Sequence, residues 1–343
     1  PMPHAHFLLS AAARTISLRD VFAMTDDQAF ERLREVRWGA DGDPVCPDCG
    51  VADRHWFLSS RQQWRCRACG HTFSVTSGTI FAYHKLPLQI YFAAIVIDAN
   101  AVKGLSALQL GRDLDVQYKT AFVLMHKLRQ SLMDQRDETP LVGAVQIDGG
   151  YVGGAVRPAN QAEERVDRRL AAHQNPDKRC VLVMRETYPA DDPLARVGGK
   201  RTLTWIIRQE NQADVGTLTA RFIAPGTAIS TDESGAYDLL PGRYVTHRVN
   251  HQRAYRAADG TTNNQAESYI SRFRRMQIGQ HHHFGLAHLA NYANEAAYRE
   301  DTRRLPNGEI FRDILTKCAH TRPHRDWCGY WQGNTRRPER LAA

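Results

Sequence analysis

Apolar residues in the N-terminal part of the chain recur at helical spacing. Within residues 17–37, Phe30 and Leu33 lie on one predicted face, and they follow Thr25, whose side chain can cap a helix. A second apolar stretch begins with Pro87, a residue that the first turn of a helix tolerates. The pattern therefore predicts a helical region on each side of a segment that contains four cysteines.

The stretch after the second helical region predicts two helices joined by a turn. Ser106 can cap a short helix, a break falls near residues 114–116, and a second helix with core-spaced apolar residues begins at Gln117, Tyr118 and Lys119. A short helix, a tight turn and a second helix are typical of a helix-turn-helix that binds DNA. The pattern by itself fits an ordinary helical hairpin equally well.

From residue 141 onward, short apolar runs typical of strands replace the helical spacing. A polar, basic segment from about 155 to 179 is predicted to be an exposed loop. The predicted strands are LVGAVQIDGGYVGG, which runs into a carboxylate and glycines, RCVLVMRE, RTLTWIIRQ, GTAISTD and RYVTHRVNH. The predicted helices are ADVGTLTARFI, NNQAESYISRFRRM and GLAHLANYANEAAYRE. This order predicts a mixed α/β core, with Asp148 and Asp232 at the ends of two strands.

Composition and charge narrow the class of protein. The chain has 343 residues, 42% of them hydrophobic, and a formal net charge of +8. This length allows two or three domains, and the positive charge favours a polyanionic partner such as nucleic acid. No apolar run approaches the roughly 20 residues that span a bilayer, and no convincing signal peptide is present. We therefore expect a cytoplasmic protein with reduced thiols and no membrane partner.

Four cysteines form two CxxC pairs in the basic N-terminal region. Cys46 and Cys49 lie in CPDCG, Cys66 and Cys69 lie in CRACG, and sixteen residues separate the two pairs. This spacing is typical of a zinc ribbon, in which four thiolates bind a single structural zinc ion. Two disulfides are the alternative, but cysteines within a CxxC pair rarely bridge and nothing indicates an oxidising compartment.

The segment between the cysteine pairs is rich in arginine and aromatic residues. Arg61, Arg65 and Arg67 suit contact with DNA phosphates. Aromatic residues such as Trp64 and Phe73 can bind exposed bases, or they can form the small core of a ribbon. Both interpretations hold together if the aromatic rings lie inside and the arginines outside.

Three acidic residues in the second half suggest metal-dependent chemistry. Asp148 and Asp232 end predicted strands, and Glu267 lies on the following helix with Asn264 and, two turns on, Arg274. Clustered carboxylates repel one another unless cations lie among them, and their oxygens suit Mg²⁺ or Mn²⁺. Two such ions support in-line phosphoryl displacement, and Arg274 can hold a scissile-strand phosphate. Taken singly, each acid is also an ordinary turn, cap or surface residue.

The chain resembles the ISXO-like family of bacterial insertion-sequence transposases, in which a zinc ribbon and a helical DNA-binding segment precede a DDE domain of ribonuclease-H-like fold. The resemblance covers nearly the whole chain. It rests on the stretches CPDCG, WRCRACGHTFSVTSGTIF, KLPL, KGLSALQLGRDLDVQYKTAFVLMHKLR, QIDGGYVGG, STDESGAYDLL, NNQAESYISRFRRMQIG and HLANYANEAAYRED. It implies that Asp148, Asp232 and Glu267 are the catalytic acids, with Arg274 where the family usually has lysine.

The family pattern leaves one ambiguity and shows one departure. Some members are described with asparagine as the third triad residue, so Asn264 is an alternative to Glu267, although a carboxylate binds a divalent ion more strongly than an amide. Relatives commonly have Glu-Thr directly after the first aspartate, where this chain has Gly149 and Gly150. This departure is expected to change how the strand end packs without removing the metal site.

The resemblance also implies partners and a domain order. The partner is double-stranded DNA, both element terminal repeats and target, bound in the nucleoid by a homodimer or higher oligomer. Further predicted DNA contacts are Lys127, Arg272, Arg275 and His282. The predicted domains are a helical lead-in (1–40), a zinc ribbon (41–80), a helix-turn-helix segment (81–138), a DDE catalytic domain (139–305) and a basic C-terminal tail (306–343).

These features predict a transposase that binds terminal inverted repeats, cleaves the 3′ ends and joins them to target DNA. Two alternatives belong to other functional classes. A regulator, or a domesticated transposase, would keep the ribbon and helices without the chemistry, and the intact Asp148, Asp232 and Glu267 argue against it. A structure-specific nuclease of the same fold would hydrolyse DNA but join nothing.

Overall fold

A computed structural model describes the chain except residues 1–6, 154–157, 168–169, 171–172, 174, 189–191, 193–197, 250–261, 335–337 and 343. The fold divides into two compact units, Pro1–Arg136 with Thr302–Arg336, and Asp137–Asp301 with Arg337–Ala343. Within the described residues, no helix is both long and apolar enough to cross a membrane.

The first unit combines helices with a three-stranded antiparallel sheet. Its helices are α1 Leu18–Phe22, α2 Asp26–Trp38, α3 Leu88–Asn100, α4 Ala107–Asp113 and α5 Tyr118–Asp134. Its strands are β1 His55–Leu58, β2 Gln63–Cys66 and β3 Thr72–Ser74, in the order β1-β2-β3. Thr25 and Gln28 form a capping box at the start of α2, and Ser106 caps α4, as the sequence predicts.

Helix α2 packs on the small sheet through aromatic rings. The Phe30 ring stacks on Trp64 with centroids 5.5 Å apart, and the Trp38 ring meets Trp64 edge-on at 5.3 Å. Both Trp64 and Phe73 are buried. A ribbon of this size cannot bury enough apolar surface by itself, so the helix before it supplies part of its core.

Residues beyond 306 differ from the predicted basic tail. Residues Asn307–His320 form helix α9 and Arg325–Cys328 form the short helix α10 within the first unit. Phe311 of α9 is buried and meets Phe92 of α3 edge-on, with centroids 5.8 Å apart. Trp327 stacks on His126 of α5 at 4.6 Å. The many arginines obscured the apolar helical spacing of α9, which buries one face in the core.

The second unit is built around a five-stranded mixed sheet. Its strands are β4 Ala144–Val152, β5 Arg179–Thr187, β6 Gly199–Ile207, β7 Ala228–Thr231 and β8 Val245–Arg248, and its helices are α6 Gln212–Phe222, α7 Asn264–Met276 and α8 Leu289–Thr302. The strand order is β6-β5-β4-β7-β8. Strands β4, β5 and β6 pair antiparallel, whereas β7 pairs parallel with β4 and with β8. This mixed α/β arrangement agrees with the pattern of the sequence and with the ribonuclease-H-like fold that the family resemblance implies.

The end of strand β4 differs from the prediction, and the predicted loop at 155–179 is only partly described by the structure. Strand β4 does not end at Asp148, because it continues through Gly149 and Gly150 to Val152, paired with β5 throughout. Glycines in the run suggested an end, but the buried partner strand supplies hydrogen bonds that keep the segment extended. The predicted loop at 155–179 lies partly outside the described residues. Its described part includes a short 3₁₀ turn at Ala162–Glu164.

Candidate functional sites

The four CxxC cysteines converge in the ribbon. The Sγ atoms of Cys46 and Cys69 lie 3.7 Å apart, and those of Cys49 and Cys66 lie 3.6 Å apart. A tetrahedron of thiolates about 2.3 Å from zinc has edges of about 3.8 Å, so these separations fit that ion. Among the described residues, these cysteines are the one set of three or more potential ligands whose donor atoms all lie within 4.8 Å.

Backbone geometry explains why both knuckles end in glycine. Gly50 and Gly70 adopt left-handed φ angles of 75° and 76°, and their N–H groups donate to the carbonyls of Cys46 and Cys66. A side chain at either position would be strained in this conformation.

The N–H groups of Cys69 and Ala68 point at the Cys66 sulfur and lower its pKa to about 6. The pKa of Cys69, although lowered by the His71 N–H, is raised overall to about 12 by burial and by the neighbouring sulfur atoms. Without metal, this knuckle therefore favours the thiolate at Cys66 and the thiol at Cys69.

The outer surface of the ribbon carries the predicted basic residues. The side chains of Arg61, Arg65 and Arg67 are exposed, and the Arg67 guanidinium lies 4.8 Å from the ring centroid of Trp56. The aromatic rings of Trp64 and Phe73 are buried, so they belong to the ribbon core while the arginines face solvent. This arrangement leaves cationic groups on the surface, where they can meet DNA phosphates.

Helices α4 and α5 are joined by a tight turn, as expected for a helix-turn-helix. A Cβ added to Gly111 would lie 3.0 Å from the Val116 carbonyl oxygen, so the turn passes close to α4. Gln117, Tyr118 and Lys119 are all exposed at the start of α5. The Lys119 ammonium lies 4.6 Å from the ring centroid of Trp331 and 5.3 Å from that of Tyr330.

Lys127, also a predicted DNA contact, occupies a different environment. It lies two turns farther along α5 and is 6% exposed. Burial lowers the pKa of its ammonium. The side chain therefore faces the interior of the first unit, and it offers no surface to DNA.

The parallel pairing of two strands brings the predicted aspartates together. Gln146 of β4 pairs with Ser230 of β7, so Asp148 and Asp232, each two residues farther along, lie at the same edge. Asp148 Oδ1 accepts a hydrogen bond of 2.8 Å from the Gly149 N–H, and Asp232 Oδ1 accepts one of 2.9 Å from the Ser234 N–H. Both side chains are half-buried.

Helix α7 is fastened to β4 beside Asp148. The Gln146 side-chain oxygen accepts a 2.7 Å hydrogen bond from the Gln265 N–H, and Asn263 Nδ2 donates a 3.1 Å bond to the Ile147 carbonyl. A Cβ at Gly150 would lie 2.9 Å from Ile270 Cγ2, so the helix touches the strand where Gly150 leaves room. These contacts hold the first turn of α7, which carries Glu267, close to the strand. Sequence reasoning missed both anchoring amides.

A fourth carboxylate lies at the same place. Glu210 follows β6 directly before α6 and packs over Gly149, where an added Cβ would lie 2.7–2.8 Å from its carboxylate atoms. The Tyr237 hydroxyl donates to Glu210 Oε1, and the Glu210 N–H donates to the Tyr151 hydroxyl at 3.1 Å. The sequence carried a signal for this residue, because Glu210 follows a strand just as Asp232 does.

Burial and neighbouring negative charges together raise the pKa of the Asp148 carboxyl group. Its pKa rises to about 7, mainly because burial disfavours the carboxylate, and the charges of Asp232, Glu210 and Glu267 act in the same direction. The pKa of Glu210 is also raised, chiefly by burial. No three of these carboxyl groups have their oxygen atoms all within 4.8 Å of one another, so they are more widely spaced than the four cysteines. A set of partly buried, mutually repelling oxygen donors fits a divalent cation.

The remaining predicted residues are distributed along α7 and the turn after it. Asn264, Arg274 and Arg275 are exposed, whereas Arg272 forms an ion pair with Glu300 of α8, with Nη1 2.7 Å from Oε1. His282 is exposed after a π-helical turn at Gln277–His281 and has a φ of 56°. The exposed groups lie where a nucleic acid can reach them, and Arg272 connects two helices.

Comparison with known proteins agrees with both halves of the structure. Residues 140–301 match the ISXO2-like transposase domain family, and residues 24–72 match the transposase zinc-ribbon domain family. A protein in transposable element ISH50 of Halobacterium salinarum is 24% identical over 302 residues, which cover 85% of this chain and 96% of that protein. The zinc-ribbon match begins at residue 24 and so includes α2, whose rings complete the ribbon core. The chain therefore carries an ISXO2-like transposase domain, preceded by a transposase zinc ribbon.

Proposed function

We propose that this transposase binds the terminal inverted repeats of its insertion sequence, cleaves the 3′ ends and joins them to target DNA. The observation that carries the proposal is the convergence of Asp148, Asp232 and Glu267 at one edge of a ribonuclease-H-like sheet, within the residues that match the transposase domain family. Their mutual proximity is supported by the raised pKa of Asp148, to which the other carboxylates contribute.

End recognition is assigned to the first unit. Exposed Arg61, Arg65 and Arg67 on the ribbon supply positive charge for phosphates. Gln117, Tyr118 and Lys119 lie at the start of the second helix of the helix-turn-helix, the part of such a helix that contacts base edges. Lys127 is not included, because its side chain is buried. A structural zinc ion held by the four cysteines keeps the ribbon folded.

Chemistry is assigned to the second unit. Asp148, Asp232 and Glu267 are the proposed ligands of two Mg²⁺ or Mn²⁺ ions, and Asn264 is the alternative third ligand. When bound, such ions activate the attacking oxygen and stabilise the leaving one in phosphoryl transfer. Exposed Arg274, on the same helix as Glu267, is positioned to hold a phosphate of the scissile strand.

Two further DNA contacts and an oligomer complete the proposal. Arg275 and His282 are exposed close to Arg274 in sequence, so they can extend the contact with DNA, whereas Arg272 is proposed to act through its ion pair with Glu300. Joining both ends of an element to one target requires that two ends be held together. We therefore expect a homodimer or higher oligomer on DNA.

A single assay tests this function. The protein is incubated with a labelled element end, a target plasmid and Mg²⁺ or Mn²⁺, in parallel with Asp148→Asn and Asp232→Asn. Joined products that disappear in both variants support the proposal. Cleavage without joining identifies a nuclease instead, and end-specific binding without either product identifies a regulator.

A further inference from the structure

We propose that Glu210 is a fourth metal-binding carboxylate of the acidic site and that Tyr237 is the residue that positions it. This inference rests on the proposed function, because it concerns the same divalent ions. It adds a residue from the β6–α6 connection to ligands that the sequence placed on β4, after β7 and on α7.

The absence of a side chain at position 149 is the first argument. Gly149 does not adopt a left-handed φ, so backbone conformation does not require glycine there. A Cβ at this position would lie 2.7 Å from the carboxylate carbon of Glu210 and 2.7 and 2.8 Å from its two oxygens. Glycine therefore leaves a space beside Asp148, and the Glu210 carboxylate fills it. Any larger residue at position 149 would push the Glu210 carboxylate away from Asp148.

The hydrogen bonds around Glu210 are the second argument. Tyr237 is 1% exposed, and its hydroxyl donates a hydrogen bond to Glu210 Oε1. The Glu210 N–H donates a hydrogen bond of 3.1 Å to the Tyr151 hydroxyl. The Tyr237 bond fixes the direction of the carboxylate, as such partners do for metal-binding groups, and the Tyr151 bond holds the backbone that carries it. Tyr237 lies in the 3₁₀ turn that begins three residues after Asp232, so one short segment both supplies a ligand and orients another.

Charge is the third argument. Burying a carboxylate among other carboxylates costs free energy in the absence of a cation. Glutamine would make the same hydrogen bond to Tyr237 without this cost. A purely structural role therefore gives no reason for an acid at this position, whereas a divalent ion does.

The test measures Mn²⁺ binding to the full-length, zinc-loaded protein by calorimetry, together with thermal unfolding with and without Mn²⁺. The variants are Glu210→Gln, Tyr237→Phe and Asp148→Asn, with Glu164→Gln as a matched control on an exposed turn. We expect Glu210→Gln to weaken Mn²⁺ binding about tenfold or more, and Tyr237→Phe to weaken it less. Glu164→Gln is expected to match the wild type.

Thermal unfolding separates ligation from a structural role. If Glu210 is a ligand, Glu210→Gln removes repulsion, so the metal-free Tm stays constant or rises while the Mn²⁺-induced increase shrinks. A lower metal-free Tm with unchanged Mn²⁺ affinity would overturn the inference. If Asp148→Asn weakens binding strongly and Glu210→Gln does not, only this inference fails. If neither variant affects Mn²⁺ binding, the proposed metal site itself is refuted.

Discussion

The two candidate metal sites of this protein are built in opposite ways. The four ribbon cysteines come from one stretch of 24 residues, Cys46–Cys69, and their donor atoms already lie within 4.8 Å of one another. The acidic site draws on residues 148, 210, 232 and 267, which lie on four different segments, and its carboxyl groups are farther apart. The first site is local, and the second exists only in the folded domain.

This difference follows from the chemistry of the ligands. Thiolates bind zinc tightly in a closed tetrahedron, and that binding stabilises a module too small to hold itself together. Carboxylates bind Mg²⁺ or Mn²⁺ more loosely and leave positions open for substrate. A structural ion can therefore depend on a short motif, whereas a catalytic ion needs a rigid scaffold that holds repelling charges near one another.

Removing a ribbon ligand is expected to have the largest effect. Cys46→Ser or Cys66→Ser should abolish zinc binding and unfold the ribbon, because the free energy of zinc binding is largely the folding free energy of such a module. Zinc content and limited proteolysis report both effects. Cys328→Ser, at a half-buried thiol outside the cluster, is the control and should retain zinc. A folded, zinc-free Cys46→Ser ribbon would contradict the comparison.

The third acid of the proposed catalytic site is the next position to test. Glu267→Gln should reduce strand joining by more than about a hundredfold, since even residues that only orient metal ligands contribute 10- to 100-fold. Asn264→Ala should have a much smaller effect, because Asn264 is an exposed neutral amide. Joining rates and end-specific DNA binding are measured in parallel, and binding should be unchanged. The opposite order of effects would make Asn264 the ligand.

A substitution at Gly149 tests whether the acidic site depends on close packing. Gly149→Ala should lower stability by about 1 kcal/mol, the low end for overpacking, because its Cβ would overlap only the carboxylate end of the flexible Glu210 side chain. Gly216→Ala is the matched control, since an added Cβ there has no neighbour within 4 Å and alanine favours the helix. Denaturant unfolding compares the two. Equal stability of both variants would mean that the Glu210 carboxylate moves aside without cost.

The smallest expected effect is a change in pH dependence. The pKa of Asp148 is about 7 in the folded protein, well above the roughly 3.9 of an unfolded aspartate. Its ionisation therefore destabilises the fold as pH rises toward 7, and the loss is complete above that value. In buffer without Mg²⁺ or Mn²⁺, Asp148→Asn should raise Tm more at about pH 8 than at about pH 5.5.

Comparing the two proteins at each pH isolates the contribution of Asp148, because Asp301 also has a pKa raised by burial to about 7 and remains in both. Adding Mn²⁺ should stabilise the wild type more than the variant. A Tm difference that does not change with pH would show that Asp148 ionises normally.

Sequence patterns were sufficient wherever the determining interactions are local. The caps at Thr25 and Ser106 and the strands at 179–187 and 199–207 follow from side-chain type and spacing. The continuation of β4 beyond Asp148 was not predictable in this way. Glycines usually weaken a strand, but here Gly149 and Gly150 make room for Glu210 and Ile270, which come from distant segments.

In the C-terminal region, too, contacts between distant segments decided the structure, and here the sequence predicted too little regular structure. Its arginines suggested a basic tail, yet residues 307–320 form a helix with a buried apolar face. At the extreme end, Glu339 pairs with Arg179, with Oε2 2.6 Å from Nε, and the Ala342 N–H donates to the Ile206 carbonyl. A segment with many charged residues can therefore still bury one apolar face against the rest of the protein.

By itself, the sequence determined the cysteine spacing of a zinc ribbon, the order of strands and helices between residues 141 and 300, and three candidate acids, because these depend on ligand type, periodicity and spacing. Only the tertiary structure decided that Lys127 is buried, that Gln146 and Asn263 fasten α7 to β4, and that Glu210 joins the acidic site. The physical reason is that these features depend on close contacts between segments far apart in the chain, and no local pattern encodes such contacts.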